Sequence, residues 1–199
     1  MRANAITGSA ALQRLLDGNA RYAANVPNER DFSSGRAARI AAQFPIAAIL
    51  SCADSRVAPE LVFDQGPGDL FVVRVAGNCL NIDLLASLEY AVEVLGVPLI
   101  AVVGHSGCGA VAAAIKVMKD DAKLPGHLPD LIRAIKPAVV LAGKAPAGDL
   151  LDNAIAEHVR RTVAALKRAN PIIKRFHESH ELMIVGGVYD LATGRIAFI

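Results

Sequence analysis

Two uninterrupted aliphatic runs constrain this chain most. Ile46-Ala47-Ala48-Ile49-Leu50 and Leu99-Ile100-Ala101-Val102-Val103 show no alternation of apolar and polar residues, so a strand built from either must have both faces covered. That pattern belongs to the inner strands of a parallel sheet flanked by helices. Each run ends on a stretch that carries chemistry: Cys52-Ala53-Asp54-Ser55-Arg56 after the first, His105-Ser106-Gly107-Cys108-Gly109 after the second. In an open parallel sheet, ligands bind beyond the carboxyl ends of the strands, where strand order reverses. If the two strands are neighbours there, Cys52 faces His105 and Cys108.

Two thiolates and an imidazole suit zinc, which takes Cys sulfur and His nitrogen in a tetrahedral shell. Three protein ligands leave one position open for water, the mark of a catalytic rather than a structural site. Taken alone, His105 would more often be a hydrogen-bonded histidine, but Cys108 three residues later and Cys52 on the other strand reverse that reading. His127, His158, His177 and His180 lack such partners and read as surface or helix-face residues. The glycines around His105 could cradle a phosphate, yet their spacing fits neither the dinucleotide fingerprint nor a P-loop. Asp54 and Arg56 would ordinarily be a surface ion pair. Two residues beyond a candidate ligand, however, the carboxylate can reach either the metal or a water on it, and a neighbouring guanidinium keeps it ionised and oriented.

The rest of the chain supplies the covering helices. Helical spacing runs from about Ser9 to Asn25, ended by Val26-Pro27, and a second short helix covers Ser34 to Gln43. Leu70 to Val75 reads as a second strand, and Leu80 to Leu95 as a helix stopped by Gly96 and Pro98. Further helices are expected from Gly109 to about Met118, from Leu128 to Ala142 and from Leu150 to Arg168, the last with a solvated basic side of Arg160, Arg161, Lys167 and Arg168. Glu181 to Val185 reads as strand four and Arg195 to Ile199 as a short fifth. The expected architecture is α/β: a mostly parallel four-stranded sheet with helices on both faces and a short fifth edge strand. It forms a single domain, residues 1–199, with an amino-terminal helical arm (1–44) ahead of an α/β core (45–199).

Composition narrows the function classes. The 53% hydrophobic content with only 20% charged residues suits a doubly covered sheet and a large subunit interface. A net charge of +2, with six Phe, three Tyr and no Trp, leaves no footprint for nucleic acid. No apolar stretch approaches the ~18 residues of a membrane span, and the amino terminus lacks the apolar core of a secretory signal. Of three cysteines the metal proposal claims two, so a disulfide framework is not expected and a reducing, cytoplasmic location is. Cys79, the third, reads as a small buried residue at a helix start.

The C-x-D-x-R stretch at Cys52, Asp54 and Arg56, paired with H-x-x-C at His105 and Cys108, resembles the β-class carbonic anhydrases. The likeness extends through Val57-Ala58-Pro59-Glu60, Gly68-Asp69-Leu70-Phe71-Val72-Val73-Arg74, Ala76-Gly77-Asn78 and Glu89-Tyr90-Ala91, and recurs weakly in Gly187-Val188-Tyr189-Asp190. It implies one zinc ion per subunit on Cys52, His105 and Cys108, and reversible hydration of carbon dioxide to bicarbonate and a proton by zinc-bound hydroxide. Asp54 would accept a hydrogen bond from that hydroxide and Arg56 would fix Asp54. In a closed state, Asp54 would itself be the fourth ligand. Because two thiolates cancel the charge of the ion, activity should rise into the alkaline range. The resemblance also implies a homodimer or homotetramer, with the amino-terminal helices packed across a neighbouring subunit. Plant-type members bind substrate through a glutamine where this chain has Gly66, with Gln65 one residue early, and some bacterial members have a regulatory bicarbonate site with a tryptophan absent here. Two other readings stand: a carbonyl sulfide or carbon disulfide hydrolase on the same scaffold, and a non-catalytic zinc-binding regulatory protein, which would have no use for Asp54 and Arg56.

Overall fold

The computed structural model describes residues 6–33, 35–145 and 147–199, the side chain of Ala38 apart. Its strands β1 (Ala47–Ser51), β2 (Leu70–Arg74), β3 (Leu99–His105), β4 (Met183–Tyr189) and β5 (Ile196–Phe198) form one sheet in the order β2-β1-β3-β4-β5. The first four run parallel, and β5 lies antiparallel on β4. β1 and β3 are buried at every position, as their unbroken aliphatic runs require. From β1 the chain goes to β2 on one side and then crosses to β3 on the other, so the reversal of strand order falls between the ends of β1 and β3.

Among the described residues, eight α-helices surround the sheet: α1 (Gly8–Ala23), α2 (Arg36–Ala41), α3 (Pro59–Val62), α4 (Ile82–Glu93), α5 (Gly109–Asp120), α6 (Leu128–Ala142), α7 (Leu150–Lys167) and α8 (Ile172–Glu178). Three of the long ones start on side-chain caps. Thr7 Oγ1 accepts from the Ala10 N–H, Asn81 Oδ1 from the Leu84 N–H, and Asp149 Oδ1 from the N–H groups of Leu151 and Asp152. On one face, Leu88 and Val92 of α4, Val159 and Leu166 of α7 and Ile173 of α8 pack on Leu50, Ile100 and Val102. On the other, Ala11 and Leu15 of α1 and Val62 of α3 pack on Ala47, Ile49, Leu99 and Ala101. A third apolar cluster, from α5, α6 and α7, closes over the carboxyl ends of the strands and contains Cys52, Cys79 and Cys108.

Sequence expectation and structure differ in a few places. β4 runs to Tyr189 rather than ending at Val185, because Gly186 and Gly187 continue the strand instead of breaking it. A Cβ on Gly186 would stand 2.6 Å from Val159 Cγ1, so the glycine is there to let α7 approach the sheet. The short helices α3 and α8 were not anticipated. The expected start of the second helix at Ser34 lies outside the described residues; α2 covers Arg36–Ala41. α1 covers the sheet of its own chain, with Leu15 fully buried, whereas Ile40 on α2 is 86% exposed. Among the described residues, no helix is long and apolar enough to cross a membrane.

Candidate metal centre

Cys52 is the residue after β1, and His105 is the last of β3. Gly107, with φ +63°, turns the chain back so that Cys108 becomes the N-cap of α5. The result is that one donor atom from each of Cys52, His105 and Cys108 lies within 4.8 Å of the others, and all three residues are buried. His105 Nδ1 stands 3.0 Å from the Ser106 carbonyl, which can only accept, so Nδ1 carries the proton. Its Nε2 is therefore a bare acceptor, buried and, among the described residues, without a hydrogen-bond partner. A buried lone pair beside two sulfurs is costly unless a cation satisfies it, so the residues fit a zinc ion by donor chemistry and by this orphaned nitrogen.

The sulfurs are prepared for that role by their surroundings. The Cys52 thiol is pulled down to about 4, first by the hydrogen bond from Cys108 and then by the Gly77 and Asp54 N–H groups, against the opposing effect of burial. Those two N–H groups stand 3.2 and 3.4 Å from Cys52 Sγ. Cys108 moves the other way, since it donates to Cys52 and is desolvated, while backbone N–H groups of Val111 and Ala110 at the start of α5 temper the rise.

Beside the three donors stands the carboxylate of Asp54, with Oδ2 3.8 Å from His105 Nε2. Arg56 holds it at both oxygens, Nε to Oδ1 at 2.9 Å and a terminal nitrogen to Oδ2 at 2.7 Å, while the Arg56 backbone N–H adds a third bond at 3.0 Å. These hydrogen bonds keep the Asp54 carboxyl well below the usual carboxylate range. Arg74 braces the same turn from β2, donating to the carbonyls of Cys52 at 3.0 Å and Asp54 at 2.8 Å.

Residues 47–196 match the family model for carbonic anhydrase. The chain is 42% identical over 189 residues to the carbonic anhydrase of Mycolicibacterium smegmatis, covering 94% of this chain and 91% of that one. It is 43% identical over 187 residues to carbonic anhydrase 2 of Mycobacterium tuberculosis, covering 94% and 90%. Its fold superimposes on a tetrameric β-carbonic anhydrase of Sordaria macrospora with a TM-score of 0.73 and 26% identity, over 83% of this chain and 86% of that one. The chain belongs to the β-carbonic anhydrase family.

In this family member the tertiary fold brings all five sequence-predicted site residues together: Cys52, His105 and Cys108 converge, and Asp54 with Arg56 lies against them. Gln65 is bonded within its own loop, its amide donating to the carbonyls of Phe63 and Asp64 and its oxygen accepting from Arg14 Nε. Cys79 is buried outside the ligand set, its thiol pushed up to about 12 by burial and by the charge of Cys52. Of the surface or helix-face reading of His158, the surface half fails: the residue sits on the buried face of α7, 4% exposed, behind the turn that carries Gly77, with Nε2 2.8 Å from the Gly77 carbonyl. Its spacing from Ala154 and Ile155 on the buried side of α7 was the available signal.

Proposed function

We propose that this β-carbonic anhydrase family member interconverts carbon dioxide with bicarbonate and a proton, using zinc held by Cys52, His105 and Cys108. The observation that carries the reading is the bare, buried Nε2 of His105 between two cysteines, next to a carboxylate pinned by Arg56. When bound, zinc supplies Lewis acidity that lowers the pKa of a coordinated water and so provides a nucleophile for carbon dioxide. His105 enters as a neutral ligand, because the Ser106 carbonyl holds its other nitrogen protonated. Asp54 is anionic and spends lone pairs on Arg56, so it can only accept a hydrogen bond. It therefore orients a donor at the reaction centre without supplying a proton. Arg56 sets the direction of that carboxylate, and Arg74 sets the turn that carries it. A zinc site that served structure alone would need the three ligands but neither Asp54 nor Arg56.

Assembly into a homodimer or homotetramer is part of the proposal, with the chain ahead of Pro45 as its arm. Ile40, Phe44, Ile82, Tyr90 and Val94 are large apolar residues left 47–86% exposed. Ile40 and Tyr90 line one groove, and Tyr90 packs against Phe71 of β2, the strand at the edge of the sheet. A cytoplasmic location is proposed as well, supported by three buried cysteines that are all free thiols.

Zinc content measured with stopped-flow carbon dioxide hydration across pH tests the catalytic reading. One zinc per chain and activity rising into the alkaline range are expected. Well-folded protein that holds no zinc under reducing conditions, or zinc-loaded protein without hydration activity, overturns it.

A further inference from the structure

His158 comes from α7, 81 residues along the chain from the turn it touches. Its ring nitrogen Nε2 is 2.8 Å from the Gly77 carbonyl, and since a carbonyl only accepts, Nε2 is the protonated nitrogen. The Cys79 thiol also lies near this carbonyl, at 3.7 Å, a longer and weaker contact. Gly77 in turn donates its N–H to Cys52 Sγ at 3.2 Å. The residue is thus held at both polar atoms, by the imidazole on one side and by the candidate metal-ligating sulfur on the other. Its φ of +69° belongs to the left-handed region, and an added Cβ would meet Ile135 Cδ1 at 2.9 Å and Ala110 Cβ at 3.0 Å. Backbone bonds stitch the same turn to the end of β1: Val75 N–H to the Ser51 carbonyl, Ala53 N–H to the Val75 carbonyl. Burial keeps the His158 imidazole neutral, its pKa pushed down by desolvation and by the nearby Arg161 charge.

We propose that His158 is a positioning residue of the metal centre: through the Gly77 carbonyl it holds the turn whose N–H bonds the Cys52 sulfur. This deepens the catalytic reading above and rests on it. An N–H···S bond withdraws charge from a thiolate, so the sulfur delivers less to a bound cation and leaves that cation the stronger Lewis acid. Groups that orient or tune metal ligands in this way are typically worth 10–100-fold in affinity or activity. Losing the imidazole donor frees the Gly77 turn, weakens the bond to Cys52 and moves the pH midpoint of hydration upward.

The test uses full-length wild type, His158→Leu, which keeps bulk without a donor, and His158→Gln, whose amide N–H can reach the same carbonyl. Each is loaded with cadmium-113 for NMR and with zinc for pH-dependent hydration. Expected are a scalar coupling from cadmium to the Gly77 amide proton in wild type and in His158→Gln, and its loss in His158→Leu. The leucine variant should hydrate carbon dioxide on the order of 10-fold more slowly at neutral pH. It should recover toward the wild-type rate at high pH, while His158→Gln keeps the wild-type midpoint. A merely structural histidine would lower stability in His158→Leu yet leave coupling and midpoint unchanged, and that result overturns the proposal. If the leucine variant does not fold, the wild type decides alone: nitrogen-15 NMR must show His158 protonated at Nε2 and the cadmium coupling at Gly77. A proton on Nδ1, or no coupling in cadmium-loaded protein, overturns the proposal while leaving the catalytic reading intact. A wild type that takes up neither metal overturns both.

Discussion

Asp54 and Arg56 are two residues apart in a partly exposed turn, and elsewhere such a pair would contribute little. Here Arg56 takes both carboxylate oxygens, a fork-on-fork geometry that fixes direction as well as charge. Asp54→Asn keeps the shape but swaps one acceptor oxygen for a donor, so hydration should fall by about 10- to 100-fold while zinc stays bound. Stopped-flow rates with metal analysis on the same sample read both. Arg56→Lys should recover only a small part of what Arg56→Ala loses, since an ammonium cannot grip both oxygens. These two residues were legible in the sequence because they sit on the same turn as a ligand. His158 was not, because nothing within its own helix marks which residue, 79 or 81 positions away, it will meet.

Among the elements, α7 meets the sheet where side chains are missing. Added Cβ atoms would stand 2.7 Å from Val159 Cγ2 at Gly104 and 2.6 Å from Val159 Cγ1 at Gly186. Val159 therefore fills the space that two glycines on adjacent parallel strands leave open. Gly186→Ala should destabilise by about 1–3 kcal/mol through overpacking. Adding Val159→Ala to it should cost less than the sum of the two single changes, because the smaller residue makes room. Urea denaturation of the four proteins gives the coupling energy, and simple additivity would contradict the packing account. Gly186 and Gly187 also explain why the end of β4 is hard to read from sequence: a glycine pair signals a break, and only the structure shows that Gly186 makes room for α7 and Gly187 lies against Ile196 and Ala197 of β5.

At the scale of the whole molecule, Asp64 ties the amino-terminal segment to the sheet. Its carboxylate is 2% exposed and receives Arg21, Arg30 and the Asn28 N–H, so the end of α1 and the chain after it converge on the loop beyond α3. Burial opposes ionisation of Asp64, but the two guanidinium groups and the N–H outweigh it and hold its carboxyl below the ordinary range. A depressed carboxyl contributes stability above the unfolded value of about 4 and loses it as pH falls through the folded value. Asp64→Asn should therefore cost about 1–3 kcal/mol at neutral pH and show a flatter fall of Tm below about pH 4 than wild type. Assembly belongs to the same scale. Tyr90→Asp, placed in the groove shared with Ile40, should shift sedimentation toward the monomer without loss of secondary structure.

The sequence by itself determined the covered parallel strands and the turns that end them. Both are local patterns: an unbroken aliphatic run needs two covering layers, and a Cys or His at its end has only one place to emerge. The likeness of those turns to a known family carried the zinc reading further than the residues alone could. Only the tertiary structure decided that Nε2 of His105 is left bare, that Gln65 serves the loop around it, and that His158 reaches the metal turn. Each of these depends on which faces meet when α5, α6 and α7 close over the strand ends. That closure is set by packing between residues far apart in the chain, where no local periodicity records the partner.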